Sequence, residues 1–73
     1  MVESVYKVIT VIGSSPESWE KAAEAAVKQA AKTLQDLRVA EVEELDMHLE
    51  GGKILAYRAK VRLSFRYHGK EEE

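Results

Sequence analysis

The segment from Leu37 to His68, LRVAEVEELDMHLEGGKILAYRAKVRLSFRYH, carries the strongest indication of the fold. It holds two long segments rich in β-branched and aromatic residues, which Gly51 and Gly52 separate. Two glycines between strands predict a two-residue hairpin turn, because such turns need a positive φ at a central position. With the turn at these glycines, Glu50 lies opposite Lys53, and regular pairing outward from there gives the predicted register.

In this register, the apolar face of the hairpin changes along its length. Strands of about 14 residues, at about 3.3 Å per residue, reach roughly 45 Å, and one helix cannot cover both faces of such a ribbon. We therefore expect another copy of the chain to bury the tip, although a bulge near the tip would shift the register by one residue. The apolar residues are Ala40, Val42, Ala59, Val61, Leu63 and Phe65 at the base, and Leu45, Met47, Leu49, Ile54 and Ala56 near the tip.

The length and composition predict a small protein that is only marginally stable as a monomer. The chain has 73 residues, no cysteine and a net charge of -2. A chain of this length forms one domain that buries only about 60% of its unfolded surface. Without cysteine, disulfides and zinc–thiolate sites are excluded, so oligomerisation or a hard-metal site remains.

Net charge and hydropathy argue against nucleic acid and membranes as partners of this chain. The slightly acidic balance gives no reason to expect nucleic acid as a partner. The sequence contains neither a signal-peptide pattern nor a long apolar span, so we expect no membrane partner and a cytoplasmic location.

Two further elements precede the hairpin. Residues Val5–Ile12 are almost wholly β-branched or aromatic, which predicts a strand with both faces at least partly covered. The segment Ser15-Pro16-Glu17 predicts a helix start with Ser15 as the N-cap, and the helix is expected to end between Thr33 and Asp36. Apolar residues at three- and four-residue steps predict a packed stripe of Trp19, Ala22, Ala23, Ala26, Val27, Ala30, Leu34 and Leu37.

These elements predict an α+β protomer with the order β-α-β-β and one helix packed on one face of a three-stranded sheet. The stripe of alanines lets the helix lie close to the face that carries Val42, Val61 and Leu63. The first strand pairs with the third or the second strand, in an antiparallel or mixed sheet, of which we favour the antiparallel form. We expect a single domain over residues 1–68 and a polar, disordered tail over residues 69–73.

The chain resembles the dodecin family over about residues 4–67. The resemblance lies in Val5-Tyr6-Lys7-Val8-Ile9, in the segment from Val11 to Trp19, in Glu50-Gly51-Gly52-Lys53 and in residues 57–65. It implies a dodecin-like β-α-β-β domain that assembles as a hollow homododecamer, with helices outside and sheets facing inward. The function that the resemblance implies is non-enzymatic: a shell for binding, storage or sequestration of small ligands.

The flavin site of the family is altered in this sequence. Flavin-binding dodecins use a tryptophan of the second strand and a glutamine of the third, and the resemblance places these positions at Val39 and Arg58. Valine offers no large aromatic surface for the flavin ring, and arginine replaces an amide with a donor-only cation. We expect Val39, Arg58 and Leu45 to line a modified pocket with weak or no flavin binding. Buffering of riboflavin or FMN through this pocket stays an alternative.

A divalent cation is the favoured ligand. The segments Arg38-Val39-Ala40 and Leu45-Asp46-Met47 are similar to the calcium dodecin subgroup, which lacks the stacking tryptophan. This resemblance favours calcium or another divalent cation, held by carboxylates from several copies of the chain. The candidate ligands are Glu44, Asp46 and Glu17, of which the first and last correspond to family positions near bound cations.

The acidic residues of the second strand also have a simpler interpretation as cross-strand ion pairs. In the predicted register, Glu41 faces Arg62 and Glu43 faces Lys60. The next two acidic residues face uncharged neighbours, which makes them the better cation candidates.

Catalysis has no support in the sequence. There is no cysteine nucleophile, and no serine has a histidine and a carboxylate at a suitable spacing. Trp19 lies in the predicted first helical turn, where a packing role is favoured over a flavin platform. We therefore predict that the protein is not an enzyme, and a purely structural assembly without a ligand is the remaining alternative.

Overall fold

In the computed structural model, which describes residues 3–67, one helix crosses a three-stranded antiparallel sheet. The elements are β1 (Tyr6–Ser15), α1 (Trp19–Ala31), β2 (Leu37–Glu50) and β3 (Lys53–Arg66). The central strand is β3, and both β1 and β2 run antiparallel to it. The predicted α+β fold is confirmed, and the first strand pairs with the third. The predicted domain end at residue 68 and the tail over residues 69–73 lie outside the described residues.

The core lies between α1 and the face of the sheet that it covers. Alternate residues of a strand share a face, so β3 presents one row of small and branched side chains to the alanines of α1. At Gly13 of β1 the approach is so close that a Cβ atom would overlap the carbonyl oxygen of Ala22. This confirms the close helix–sheet packing that the alanine stripe predicts. The buried residues of the core are Ala22, Ala26 and Ala30 of α1 and Ala59, Val61 and Leu63 of β3.

The helix begins later and ends earlier than predicted. Its N-cap is Ser18, whose Oγ accepts a hydrogen bond from the backbone N–H of Lys21 at 3.1 Å, and its last residue is Ala31. The predicted cap, Ser15, is the last residue of β1 and is paired with Tyr57 of β3. Pairing within the sheet therefore keeps the backbone of Ser15 extended. Its hydroxyl oxygen accepts a hydrogen bond from the backbone N–H of Glu17 at 3.0 Å.

The hairpin turn lies where the sequence predicts it. Gly51 and Gly52 have φ values of 59° and 77°, in the left-handed region that favours glycine. Glu50 lies opposite Lys53, as predicted. Beyond the turn, three irregularities interrupt the pairing of β2 with β3, between Leu37 and Val39, between Val42 and Glu44, and between His48 and Leu49.

The irregularity at Glu43 overturns the predicted change of apolar face. One extra residue on a strand reverses the alternation beyond it. Leu45 consequently lies opposite Ala59, and Met47 lies opposite Tyr57, on the same side of the sheet as α1. The prediction placed these apolar side chains on the other face because it assumed an unbroken ladder. They remain exposed in the single chain, together with Leu49, Ile54 and Leu55 at the tip.

The molecule is elongated because the hairpin projects beyond α1. Its principal dimensions are 53 × 20 × 15 Å, and its radius of gyration is 15.1 Å, compared with about 11 Å for a compact domain of this length. All of β2 after Leu37 is exposed. In β1, Tyr6, Val8 and Ile12 are also exposed, so within one chain only one face of that strand is covered. This differs from the predicted cover on both faces.

No helix within residues 3–67 is long and apolar enough to cross a membrane.

Candidate functional site

The face of the sheet opposite α1, which we call the open face, carries the charged residues of the hairpin. The buried residues of β3 point toward α1, so the residues between them point toward the open face. Each acidic residue of β2 on this face lies opposite a basic residue of β3. The four pairs are Glu41 with Arg62, Glu44 with Lys60, Asp46 with Arg58, and Glu50 with Lys53 at the turn.

Asp46 and Arg58 form the best-defined contact of the open face. Arg58 Nε lies 2.7 Å from Asp46 Oδ1, and Arg58 Nη2 lies 2.8 Å from Asp46 Oδ2. This two-pronged geometry matches the planar guanidinium to the planar carboxylate. Hydrogen bonding to Arg58 lowers the pKa of Asp46, and the same hydrogen bonds raise the pKa of Arg58. Both groups are therefore ionised at neutral pH.

Arg62 forms a second, looser cluster. Its Nη2 and Nε atoms lie 3.1 Å and 3.3 Å from Glu41 Oε1, and its Nε lies 3.4 Å from Glu43 Oε2. Hydrogen bonding to Glu41, followed by the charges of both glutamates, raises the pKa of Arg62. The predicted pair of Glu41 with Arg62 is confirmed. The predicted pair of Glu43 with Lys60 is wrong, because Glu43 is the extra residue of the irregularity in β2.

Glu44 lies between these two clusters. Within residues 3–67, it forms no ion pair, although Lys60 is directly opposite. Glu44 and Asp46 are two residues apart on the same face of β2, so their backbones are about 7 Å apart. This places one unpaired and one paired carboxylate side by side on an exposed edge strand.

Trp19 fixes the backbone beside Asp46. Its indole Nε1–H donates a hydrogen bond to the main-chain oxygen of Asp46 at 3.0 Å. Its ring meets the ring of Tyr57 edge-on, with centroids 5.0 Å apart and an interplanar angle of 69°. The structure thus gives Trp19 the packing role that the sequence predicts, and the first turn of α1 supports the strand from the side opposite the carboxylate.

The structure brings together two of the three predicted cation ligands and does not bring the predicted flavin-pocket residues together within one chain. Val39 and Arg58 share the open face but lie roughly 20 Å apart along it, because Val39 is opposite Ser64, six residues from Arg58 on β3. Leu45 lies on the helix-facing side. The sequence prediction placed Leu45 on the wrong face because it did not include the irregularity at Glu43. Glu44 and Asp46 share the open face, whereas Glu17 lies before α1 and is 3.7 Å from Lys21 in an ion pair.

The carboxylates of one chain do not form a complete cation site. In the described part of the chain, no group of three or more His, Asp or Glu residues could hold a metal ion. Calcium takes roughly six to eight oxygen ligands. Glu44 and Asp46 offer oxygens of the right chemistry, but two carboxylates are too few to fill that shell.

Sequence reasoning missed the Asp46–Arg58 pair because it assumed unbroken strand pairing. In the assumed register, Asp46 faces Tyr57 and Arg58 faces Leu45, so each charge meets an uncharged neighbour. A shift of one residue places charge opposite charge and Met47 opposite Tyr57. That improvement in cross-strand pairing was a usable signal for the shift.

Comparison with known proteins identifies the family. The dodecin family model matches residues 5–68, which is most of the chain. This chain belongs to the dodecin family. The calcium dodecin of Mycobacterium tuberculosis is 49% identical to it over 63 residues, which are 86% of this chain and 89% of that dodecin.

Solved dodecin structures share its fold. The crystal structure of the calcium-chelating calcium dodecin from M. tuberculosis has a TM-score of 0.81 and 50% sequence identity, and covers 92% of this chain and 96% of its own. A dodecin from Streptomyces coelicolor has a TM-score of 0.89 and 30% identity, and covers 96% and 100%. The predicted resemblance to dodecins, and to calcium dodecin in particular, is confirmed.

Proposed function

We propose that this dodecin is a non-enzymatic, hollow homododecameric shell that binds and stores calcium or another divalent cation. The observation that supports this most is the presence of Glu44 and Asp46 side by side on the open face, in a chain 49% identical to a calcium dodecin. Carboxylate oxygens are the hard ligands that calcium prefers. Each site is completed by water or by carboxylates of neighbouring copies.

The exposed apolar tip supports the assembly. Large apolar side chains on a ribbon that extends beyond its helix are costly in water and are stabilised by burial. A 73-residue chain without cysteine has few other sources of stability. Packing of several copies through the tips would bury these residues and bring carboxylates of different copies together.

Flavin binding is the weaker alternative. Val39 is 57% exposed and offers no aromatic surface on which a flavin ring could stack. Arg58, at the position of the family glutamine, is bonded to Asp46 and has no acceptor atom. Both changes weaken the flavin site, so we propose weak or no flavin binding.

Native mass spectrometry of the purified protein, followed by titration with calcium, riboflavin and FMN, tests this function. We expect a dodecameric mass that takes up calcium and no flavin. Uptake of flavin in pairs would instead favour a flavin-buffering dodecin with a modified pocket. A dodecamer that takes up none of the three would favour a purely structural assembly.

Carboxylate variants test the site. Glu44→Gln and Asp46→Asn should each weaken calcium binding at least about tenfold in isothermal titration calorimetry. Glu24→Gln is a suitable control, because Glu24 pairs with Lys28 on the exposed side of α1. Glu17→Gln would weaken binding only if another copy brings that residue to the site. Unchanged affinity in the first two variants would place the cation elsewhere.

A further inference from the structure

The geometry of Arg58 points to a role beyond strand pairing, on the condition that the proposed cation site is correct. We infer that Arg58 is an internal competitor at that site: it holds the Asp46 carboxylate in the cation-free protein and is displaced when a divalent cation binds. The inference concerns how this chain sets the affinity and charge selectivity of its own site.

The first argument is occupancy. Both oxygens of Asp46 accept hydrogen bonds from Arg58, at 2.7 Å and 2.8 Å. A cation that is chelated by both oxygens of this carboxylate needs the lone pairs that face Arg58. It also meets the positive charge of the guanidinium at contact distance, where repulsion is strongest. Chelation of a cation by both oxygens of Asp46 and pairing of Asp46 with Arg58 therefore exclude each other.

The second argument is that the exchange is possible without unfolding the hairpin. The side chains of Arg58 and Asp46 are 43% and 51% exposed, so a released guanidinium is hydrated at once. The backbone at Asp46 stays in place, because Trp19 bonds its main-chain oxygen. Only two side chains have to rotate, and the strand that carries Glu44 keeps its position.

The third argument concerns selectivity. A monovalent cation carries no more charge than a guanidinium and cannot reproduce its two directed hydrogen bonds. A divalent cation carries twice the charge and also gains the neighbouring carboxylate of Glu44. Arg58 thus raises the concentration of calcium at which the site fills and disfavours sodium and potassium.

The chain contains a matched control in Arg62. It lies on the same strand and the same open face, its side chain is 45% exposed, and it also pairs with a carboxylate of β2. Its partners are Glu41 and Glu43, not Asp46. A substitution at Arg62 removes the same charge from the same surface but leaves the proposed competition intact.

The test is calorimetric titration of the full-length dodecin with calcium chloride in wild type, Arg58→Gln and Arg62→Gln. We expect at least a tenfold gain in calcium affinity for Arg58→Gln and less than a threefold change for Arg62→Gln. Arg58→Lys keeps the charge but loses the two-pronged geometry, and should gain about threefold. If Arg58→Gln fails to fold, Arg58→Lys still tests the inference. Native mass spectrometry checks the assembly of each variant.

Fluorescence of Trp19 supplies an independent readout, since its indole bonds Asp46 and contacts the residue before Arg58. Calcium should change the tryptophan emission of the wild type and leave the emission of Asp46→Asn unchanged.

Equal gains in calcium affinity for Arg58→Gln and Arg62→Gln would show that only the loss of a positive charge from the open face matters, and would overturn the inference. Wild-type affinity in both Arg58 variants, with binding still weakened by Asp46→Asn, would overturn it while the proposed site stands. If Asp46→Asn has no effect on affinity, the proposed site and the inference both fail.

Discussion

At the scale of single residues, Gly13 decides how closely α1 can approach the sheet. A Cβ atom there would overlap the carbonyl oxygen of Ala22 and lie 3.0 Å from the Cβ of Ala26. The requirement is for space and not for a left-handed backbone. One missing side chain in β1 and small side chains in α1 together allow the contact on which the core depends.

We predict that Gly13→Ala lowers the free energy of unfolding by about 1–3 kcal/mol, because α1 must move away from β1. Ser14→Ala is the control, since Ser14 is exposed on the other face of the same strand, and should change stability by less than about 0.5 kcal/mol. Urea unfolding at one protein concentration measures both. Equal stability of the two variants would contradict the close approach.

Asp46 gives a pH dependence of stability with a definite sign. Hydrogen bonding to Arg58 lowers its pKa from the ordinary value of 3.8. A carboxyl whose pKa is lower in the folded state stabilises that state above the unfolded pKa. It loses this contribution as the pH falls through the folded value.

We therefore predict that the difference in melting temperature between wild type and Asp46→Asn is constant from about pH 5 to about pH 8 and shrinks only below about pH 3.8. Thermal unfolding without added calcium, in buffers of matched ionic strength, measures it. A difference that disappears above pH 5 would show that the pKa of Asp46 is not lowered.

At the scale of elements, Trp19 ties the start of α1 to the hairpin. It is the helix residue that reaches both β2, through the Asp46 main-chain oxygen, and β3, through the ring of Tyr57. These contacts lie where the ribbon leaves the cover of the helix. They hold the base of the projecting tip in a fixed direction.

Trp19→Phe should cost about 0.5–1.5 kcal/mol of unfolding free energy, because phenylalanine keeps an aromatic ring near Tyr57 but loses the indole N–H donor. Trp19→Ala loses the ring as well and should cost more. Chemical unfolding followed by circular dichroism compares the variants without relying on tryptophan fluorescence. Wild-type stability of Trp19→Phe would mean that the hydrogen bond to Asp46 contributes nothing.

At the scale of the whole molecule, the exposed tip is the surface that neighbouring copies would bury in the proposed assembly. Leu45 lies on its helix-facing side, opposite Ala59, and is 52% exposed in the single chain. Burial of a leucine side chain is worth about 1.5–3 kcal/mol, and a shell repeats that gain in every copy. The tip therefore contributes to the stability of the assembly more than to that of the protomer.

Leu45→Asp should reduce the assembly to smaller species, because it places a charge where apolar contact between copies is expected. His48→Asp is the matched control, since it adds the same carboxylate near the tip on the open face. Light scattering after size-exclusion chromatography measures both masses. An unchanged mass and melting temperature for Leu45→Asp would remove the tip from the interface.

Features that depend on local chemistry follow directly from the amino-acid sequence. Gly51 and Gly52 specify the turn because both adopt a positive φ. The spacing of the alanines specifies the packed side of α1, since a helix places residues three and four apart on one face. Valine at position 39, where the dodecin resemblance places the flavin-stacking tryptophan, has no aromatic surface in any fold, and the proposal of weak or no flavin binding rests partly on it.

The start of α1 and the register of the hairpin depend on contacts between different elements of the folded chain. Ser15 and Ser18 are both acceptable N-caps, and pairing of Ser15 with β3 excludes the first of them. The irregularities in β2–β3 pairing are stabilised by contacts across the sheet, where charge meets charge and Leu45 joins the apolar side. Those contacts join residues on different strands, so the pattern within one strand does not specify them. Only a comparison of alternative cross-strand registers indicates the Asp46–Arg58 pair at the proposed cation site.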